Sequence, residues 1–416
     1  MISLQSTSRS RFSRSTTRTR FLHITAISAA AIGSLFAQFD EKPEALSAKE
    51  WWNNANWLKT DLWEVRDRVE TTDFDNHYVI DSIYGTFDAW GDDQLKKRIK
   101  EIQAIHRLRE KGAARATSDG LVNETKKRIN VAEDLAKTPV TTVLDVPRGA
   151  RAIVRRAGAF QHRERRKGNY KGDGPLKSWL GVDDQKRQIA AKLGIDPYTD
   201  NLVLQKELDR VSTIGSLPEL AVNYIDPGSG LFSVLESGRQ SRMKDAYLNS
   251  PSELFVQNRR TLIEELGASK ALAAQFLSVE FATPAQQTIL VESLVQLKNT
   301  KNRLLLVQLA NLTKTRAEFE VYRRCAELLA WYHSNRSPIS KLTSLRWMPV
   351  GVDQSGNRVL PFPIDFGSWC PECGGFLTEF SETGEGGTLV MTGRLTERAL
   401  SELAKRNVDV VFLDHE

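Results

Sequence analysis

The sequence predicts a mainly α-helical protein, with multi-helix domains and a small C-terminal α/β unit. Between residues 92 and 111, apolar side chains recur at steps of three and four, which is the spacing of one helix face. Three helix-start signatures follow at 250–253, 283–286 and 315–318. Each has a hydroxyl and, three residues later, a carboxylate or amide. Strand-like segments follow residue 346, so the α/β unit is expected there.

The region 38–147 is expected to be helical with one short β segment. Trp52 and Trp63 can share one face of a helix, and we expect them to pack in the core. The β segment is 77–90, where Gly85 supplies a turn or bulge. The amphipathic helix follows it directly.

Beyond this region we expect a helical domain at 184–335 and an α/β unit at 346–416. Capping residues, with proline at the first helical position, mark successive amphipathic helices in the first of them. The second begins with a hairpin signal around 353–357. It continues through a strand, a helix capped by Thr396 and a closing strand at 408–413. The last strands are expected to be parallel if they adjoin in one sheet.

Residues 1–37 form a targeting segment, because they contain five arginines, no acidic residue and a terminal apolar block. A basic part, the apolar stretch 21–37 and the small residue Ala37 follow each other as in a secretory signal peptide. An uncleaved membrane anchor through 21–37 is one alternative, since the block is close to the length of a membrane span. An organellar transit peptide is the other. We expect export to the periplasm, the cell envelope or the outside of the cell.

The net positive charge of this chain lies largely in the leader. The whole chain has a formal charge of +6, and the five leader arginines account for five of it, so about +1 remains beyond residue 37. The basic pI is therefore a poor argument for nucleic-acid binding, and no nucleic-acid partner is expected.

The most basic stretch beyond the leader lies in a predicted linker at 148–183. Its second half contains Gly168, Gly172, Gly174 and Pro175, which favour a linker. Its first half mixes cationic with apolar side chains, which suits an anionic membrane surface or a cell-wall polymer. A solvated linker without a ligand is the alternative. The candidate binding residues are Arg148, Arg151, Arg155, Arg156, Arg163, Arg165, Arg166 and Lys167.

Three cysteines, Cys325, Cys370 and Cys373, are too few for a disulfide-stapled scaffold. Cys370 and Cys373 form a W-C-P-E-C motif after a predicted strand, which resembles the redox motif of thioredoxin-like proteins. No proline follows Pro371, so the proline that faces this motif in that fold is missing. A zinc site completed by Cys325 and His415 is a second interpretation. We expect the third, a local structural disulfide or plain thiol pair, with neither metal nor cofactor.

Three blocks of the chain resemble an uncharacterised family of exported bacterial proteins. They are NHYVIDSIYGTFDAW with the helix after it, LGIDPYTDNLVLQKELDRV and TGRLTERALSELAKR. The resemblance covers most of the chain beyond the leader and keeps the blocks in the same order. It implies no activity, ligand or cofactor. The family pattern at the third block does not include the cysteine pair.

The expected role is that of an exported, non-catalytic binding or structural protein associated with the cell envelope. The sequence contains no H-E-x-x-H pairing, no Gly-rich phosphate loop and no G-x-S-x-G elbow. The alternative is a thiol–disulfide oxidoreductase that uses Cys370 and Cys373.

Overall fold

The structure, a computed structural model, describes residues 41, 45–52, 55–118, 182–213, 246–382 and 386–413. The predicted leader at 1–37 lies outside the described residues, and so does the basic stretch. Among the helices in the described ranges, none is long and apolar enough to cross a bilayer.

The N-terminal sheet is antiparallel, and its side chains alternate between the core and the outer face. Its strands are β1 (Leu46–Ser47), β2 (Trp63–Val65), β3 (Arg68–Thr72), β4 (Asp75–Ser82) and β5 (Gly85–Trp90). They are ordered β1-β3-β4-β2, and β5 pairs with β4. On β4, Tyr78 and Ile80 are buried while Val79 is partly exposed, as expected for a half-buried strand. Gly85 closes the β4–β5 hairpin with a φ of 119°, which glycine adopts readily.

The inner face of this sheet is covered by a helix that carries the predicted apolar stripe. The helices of this region are α1 (Ala48–Trp51), α2 (Ala55–Leu58), α3 (Asp92–Ser118), α4 (Asp184–Lys192) and α5 (Leu202–Ser212). Leu95, Ile99 and Ile102 of α3 are fully buried and share one core with Tyr78 and Ile80 of the sheet. Helix α5 packs against both α3 and α4, so the three helices form a layer over the sheet.

A buried set of ion pairs holds α3 to the turn before α5. Arg98, whose side chain is 1% exposed, pairs with Glu101 at 2.7 Å and with Asp200 at 2.8 Å. Glu101 also accepts hydrogen bonds from the hydroxyl of Thr199 and from the side-chain amide of Asn201. Although burial opposes its charge, these two carboxylates raise the pKa of Arg98. The guanidinium is therefore ionised and paired inside the protein.

The central helices begin largely at the predicted caps. They are α6 (Pro251–Arg260), α7 (Lys270–Leu277), α8 (Pro284–Gln296), α9 (Leu305–Ala310) and α10 (Arg316–Asn335), and a π-helical turn, Thr261–Glu265, extends α6. Ser250 and Thr283 form the complete capping boxes that the sequence predicts. The third box is incomplete: Thr315 accepts the N–H of Glu318, but the carboxylate of Glu318 accepts the N–H of Lys314 instead.

The C-terminal sheet is mixed and has helices on both faces. Its elements are β6 (Ile339–Leu345), β7 (Met348–Asp353), β8 (Arg358–Phe362), α11 (Pro371–Glu382), β10 (Gly387–Met391), α12 (Glu397–Ala404) and β12 (Val408–Phe412). The spatial order is β12-β10-β8-β7-β6. Strands β8, β10 and β12 are parallel, which confirms the predicted parallel pairing of the last strands. Helix α10 packs on one face, and α11 and α12 cover the other.

A separate pair of two-residue strands lies next to the carboxyl ends of β8 and β10. β9 (Phe366–Gly367) and β11 (Arg394–Leu395) pair in parallel there. The backbone N–H groups of Asp365 and Phe366 donate to the carbonyl oxygen of Phe74, at 3.0 and 3.2 Å. The turn between β3 and β4 of the first sheet therefore contacts the carboxyl edge of the second.

The prediction of a mainly α-helical fold is wrong. The described residues contain sheets of five, five and two strands, so the protein is a mixed α/β protein. The difference arises in residues 46–72, where Trp63 lies in β2 rather than on a helix face with Trp52. Strands β1, β2 and β3 have two, three and five residues. An alternation this short cannot be distinguished from part of a helix by its period, and pairing with β4 decides the structure.

Candidate functional site

The predicted cysteine pair lies where α11 begins. Cys370 immediately precedes the first residue of α11, and its Sγ accepts the backbone N–H of Cys373 at 3.3 Å. A helix N-terminus favours negative charge on such a sulfur. Both residues are thiols in this structure, and they are 1% and 8% exposed. The pair therefore has the helix position of a redox motif but lacks the access that a disulfide substrate needs.

An apolar cavity of about 40 Å³ adjoins Cys373. Trp369 and Phe376 line it from the α11 side, and Leu389 and Leu403 line it from β10 and α12. For comparison, an apolar cavity of about 150 Å³ binds benzene. This space is therefore too small to receive a peptide disulfide next to the thiol.

The zinc interpretation requires Cys325 to join the cysteine pair, and the structure does not bring them together. Cys325 lies on α10, on the face of the C-terminal sheet opposite to α11, and its thiol donates to the carbonyl oxygen of Pro361 at 3.7 Å. Burial raises the pKa of this thiol. In the described ranges, no group of three or more His, Cys, Asp or Glu residues is arranged to hold a metal ion. His415 lies outside them.

A second cluster, which the sequence did not predict, lies where the two large sheets meet. We call it the acidic junction; its members are Asp75, Asp92, Asp93, Asp365 and Arg324. Asp365 follows β8, and its Oδ2 accepts the backbone N–H groups of Asn76 at 2.9 Å and of Asp92 at 3.2 Å. Arg324 of α10 lies with Nε 3.4 Å from Oδ2 of Asp93 and donates to the hydroxyl of Thr392 at 3.2 Å. The junction thus contains more carboxyl groups than cations.

Within the junction, Asp92 is the carboxylate with the fullest set of donors. Its Oδ1 accepts the hydroxyl of Tyr78 at 2.6 Å and the side-chain amide of Asn76 at 3.1 Å. Its Oδ2 accepts the indole N–H of Trp51 at 2.8 Å. Burial and the nearby Asp92 raise the pKa of Tyr78 well above its ordinary value, so the phenol stays a donor. Asp92 is therefore fixed in place by three side-chain donors from β4 and α1.

Asp365 and Asp75 are in the opposite situation. Burial raises the pKa of Asp365 well above its ordinary value, repulsion from Asp92 and Asp75 adds to this, and Arg324 opposes it. Burial also raises the pKa of Asp75 to about 7, with Arg324 opposing and Asp73, Asp92 and Asp93 adding. Burial and like charge thus favour the neutral form of Asp365, and Asp75 titrates near neutral pH.

Sequence reasoning missed this junction because its members are distant in the chain. Asp75 begins β4, Asp92 begins α3 and Asp365 follows β8. The sequence could have indicated the junction only through the position of these carboxyl groups, each of which lies at one end of a strand or at the start of a helix. Such ends are where different elements can meet. Only the relative position of the two sheets brings those ends together.

The predicted basic stretch lies in the chain between two helices that the structure describes, α3 and α4. Its candidate residues, from Arg148 to Lys167, lie outside the described residues. The preceding helix α3 is tied to α5 by Arg109 and Glu207 at 2.9 Å, and the following helix α4 by Lys186 and Asp209 at 2.5 Å. Helices α3 and α4, which flank this stretch in the chain, are thus both held to α5 by ion pairs.

Comparison of the chain with protein-family models, with curated proteins and with solved structures gives no match.

Proposed function

We propose that the protein is exported and acts at the cell envelope as a non-catalytic binding protein. Its ligand is an anionic membrane surface or a wall polymer of the same charge, bound through residues 148–177. The supporting observation is charge asymmetry. This segment has ten basic and two acidic residues, a net +8, whereas the chain beyond the leader is about +1 and the remainder is therefore about −7. Such a concentration of cations on an acidic body is typical of an interaction segment.

Three cations of α3 and α4, the helices on either side of the segment, form ion pairs within the protein. Arg98 is paired with Asp200, and Arg109 pairs with Glu207. Lys186, only 6% exposed at its side chain, pairs with Asp209. These ion pairs stabilise the packing of α3, α4 and α5, whereas the net charge of +8 in the segment comes from its own sequence. The resemblance to exported bacterial proteins supports the same compartment.

The first prediction concerns binding to anionic vesicles. A chain of residues 38–416 omits the predicted leader and contains every residue that the structure describes, so it is suitable for the test. It is expected to bind vesicles that contain phosphatidylglycerol and not vesicles of phosphatidylcholine alone. Binding should weaken as ionic strength rises from about 0.01 M to about 1 M, because the Debye length falls from about 30 Å to about 3 Å. Cosedimentation measures it.

Two charge-matched variants locate the binding site. Each juxtamembrane cation contributes about 1 kcal/mol, so glutamine at six arginines of the segment is expected to weaken binding at least about a hundredfold. These six are Arg151, Arg155, Arg156, Arg163, Arg165 and Arg166. The control replaces six exposed cations elsewhere in the described part of the chain, Lys59, Arg68, Arg260, Lys270, Lys298 and Lys405. Equal loss in both variants, or full binding by the first, contradicts the proposal.

The helix position of the cysteine pair favours a second candidate function, thiol–disulfide exchange. In that reaction the Cys370 sulfur attacks a substrate disulfide, and one substrate sulfur leaves as a thiolate. Cys373 then displaces the second, so the substrate is reduced to two thiols and the pair is oxidised to a disulfide. The burial of both sulfurs opposes this function.

The second prediction separates these functions by insulin reduction. The non-catalytic proposal predicts that wild-type protein reduces insulin no faster than the Cys370→Ser variant, because substrate cannot reach the buried sulfur. The oxidoreductase requires a wild-type rate well above that of the variant. Alkylation of the native protein, followed by mass measurement, shows independently whether the thiols are reachable.

A further inference from the structure

One loop, which contains Asp365, contributes several of the hydrogen bonds that join the two large sheets. Asp365 provides a carboxyl oxygen to the N–H groups of Asn76 and Asp92 and gives its own N–H to Phe74. Two cations add to this contact: Arg394 donates to the carbonyl oxygen of Trp51 at 3.1 Å, and Arg324 pairs with Asp93 at 3.4 Å. The ionisation state of Asp365 therefore bears directly on the contact between the sheets.

Charge balance in the acidic junction requires protons. Asp92 and Asp365 are each 2% exposed, and the side chains of Asp93 and Arg324 are 23% and 13% exposed. One guanidinium cannot compensate four ionised carboxyl groups in so little solvent, because like charges at short range and low dielectric repel strongly. Asp365, although it accepts two backbone N–H groups, and Asp75 are the two members whose neutral form is favoured by burial and by the neighbouring carboxyl groups.

We propose that the acidic junction is a proton-dependent latch: the two large sheets stay closed on each other while Asp365 and Asp75 are protonated, and loosen when both ionise. The proposal is independent of the proposed function. The charged and titratable groups that face these two residues are Asp73 in the β3–β4 turn, Tyr78 on β4, Asp92 and Asp93 on α3, Arg324 on α10 and Arg394 on β11.

The direction of the pH effect follows from which state binds protons more tightly. Asp75 has a pKa of about 7 in the folded protein, and that of Asp365 is raised as well. Aspartates of the unfolded chain have pKa values near 3.9. The closed junction therefore holds protons that the open one releases. The stabilisation of the closed junction by these protons is fully present below about pH 4, and it is lost as pH rises toward about 7.

The third prediction is measured by hydrogen exchange in the full-length protein. The reporters are the amides of Asn76 and Asp92, which donate to Asp365. Their protection factors, corrected for intrinsic exchange, are expected to fall by up to about tenfold per pH unit for each linked proton between about pH 5 and about pH 7. Amides at the centre of α8 should show no such trend.

Isosteric variants give the decisive comparison. Asp365→Asn and Asp75→Asn each fix one group in a neutral form that still accepts hydrogen bonds, so the fall with pH should shrink in each. The control is Asp81→Asn, on the same strand β4, where the carboxylate pairs with Arg66 at 2.8 Å and is half exposed. It should behave as wild type. Protection independent of pH in the wild type overturns the proposal. A variant at Asp365 or Asp75 whose protection factors fall with pH as steeply as those of the wild type also overturns it. If one of these variants does not fold, the other variant and the wild type decide.

Discussion

Replacing Arg98 with methionine is expected to destabilise the protein by about 3–5 kcal/mol. The substitution removes the cation but leaves Glu101 buried and Asp200 partly buried without it. Although burial works against its charge, Asp200 has its pKa lowered to about 2, chiefly by Arg98, so it remains ionised at neutral pH. An uncompensated buried carboxylate is among the costliest defects in a folded protein. The midpoint of urea unfolding at pH 7 measures the loss.

The matched control for this variant is Arg260→Met. Arg260 pairs with Glu264 at 2.9 Å one helical turn away, but the two side chains are 77% and 64% exposed. Exposed pairs of this kind contribute about 0.5 kcal/mol or less. Similar losses in the two variants would show that Arg98 does not act as a buried charge.

The second large effect is expected at Gly393, in the loop between β10 and β11. A Cβ at this position would lie 1.8 Å from the carbonyl oxygen of Asp365 and 2.4 Å from that of Ile364. Both are backbone atoms, so alanine must displace the loop that carries Asp365. We expect Gly393→Ala to lower the free energy of unfolding by about 3 kcal/mol, the upper end for overpacking. The amide of Asn76 should also exchange faster.

Gly375→Ala provides the control for this substitution. Gly375 is exposed on α11, and an added Cβ there meets nothing within 4 Å. Alanine is favoured over glycine within a helix by about 1 kcal/mol, so this variant is expected to be slightly more stable than wild type. A free energy of unfolding for Gly393→Ala within about 0.5 kcal/mol of wild type contradicts the close packing of the two loops.

Local signals in the sequence predicted local structure well. The capping boxes at Ser250 and Thr283 and the cap at Thr396 depend on atoms within one helical turn, so four residues suffice to predict them. The closing strands β10 and β12 were predictable because each has an apolar run of ordinary strand length, with a capped helix between them. Their parallel pairing follows from that connection.

Features that depend on distant contacts were not predictable in this way. Strand β2 has three residues, and only its pairing with β4 distinguishes it from the helix expected around Trp63. The acidic junction needs Asp365 to meet Asn76 and Asp92, which is a property of how two sheets lie together. The motif of Cys370 and Cys373 predicted a cysteine at a helix start, which the structure has. The burial of both sulfurs was not predictable, because it comes from the packing of α11 and α12 over the sheet.

The most direct test of the proposed function is hydrogen exchange of residues 38–416 with and without vesicles that contain phosphatidylglycerol, at low salt. The proposal predicts slower exchange in peptides that cover 148–177 when vesicles are present, and unchanged exchange in peptides from α3 and α10. Two outcomes would contradict binding through the basic segment. One is slower exchange confined to peptides from the described helices and sheets; the other is unchanged exchange in the 148–177 peptides although the protein sediments with the vesicles.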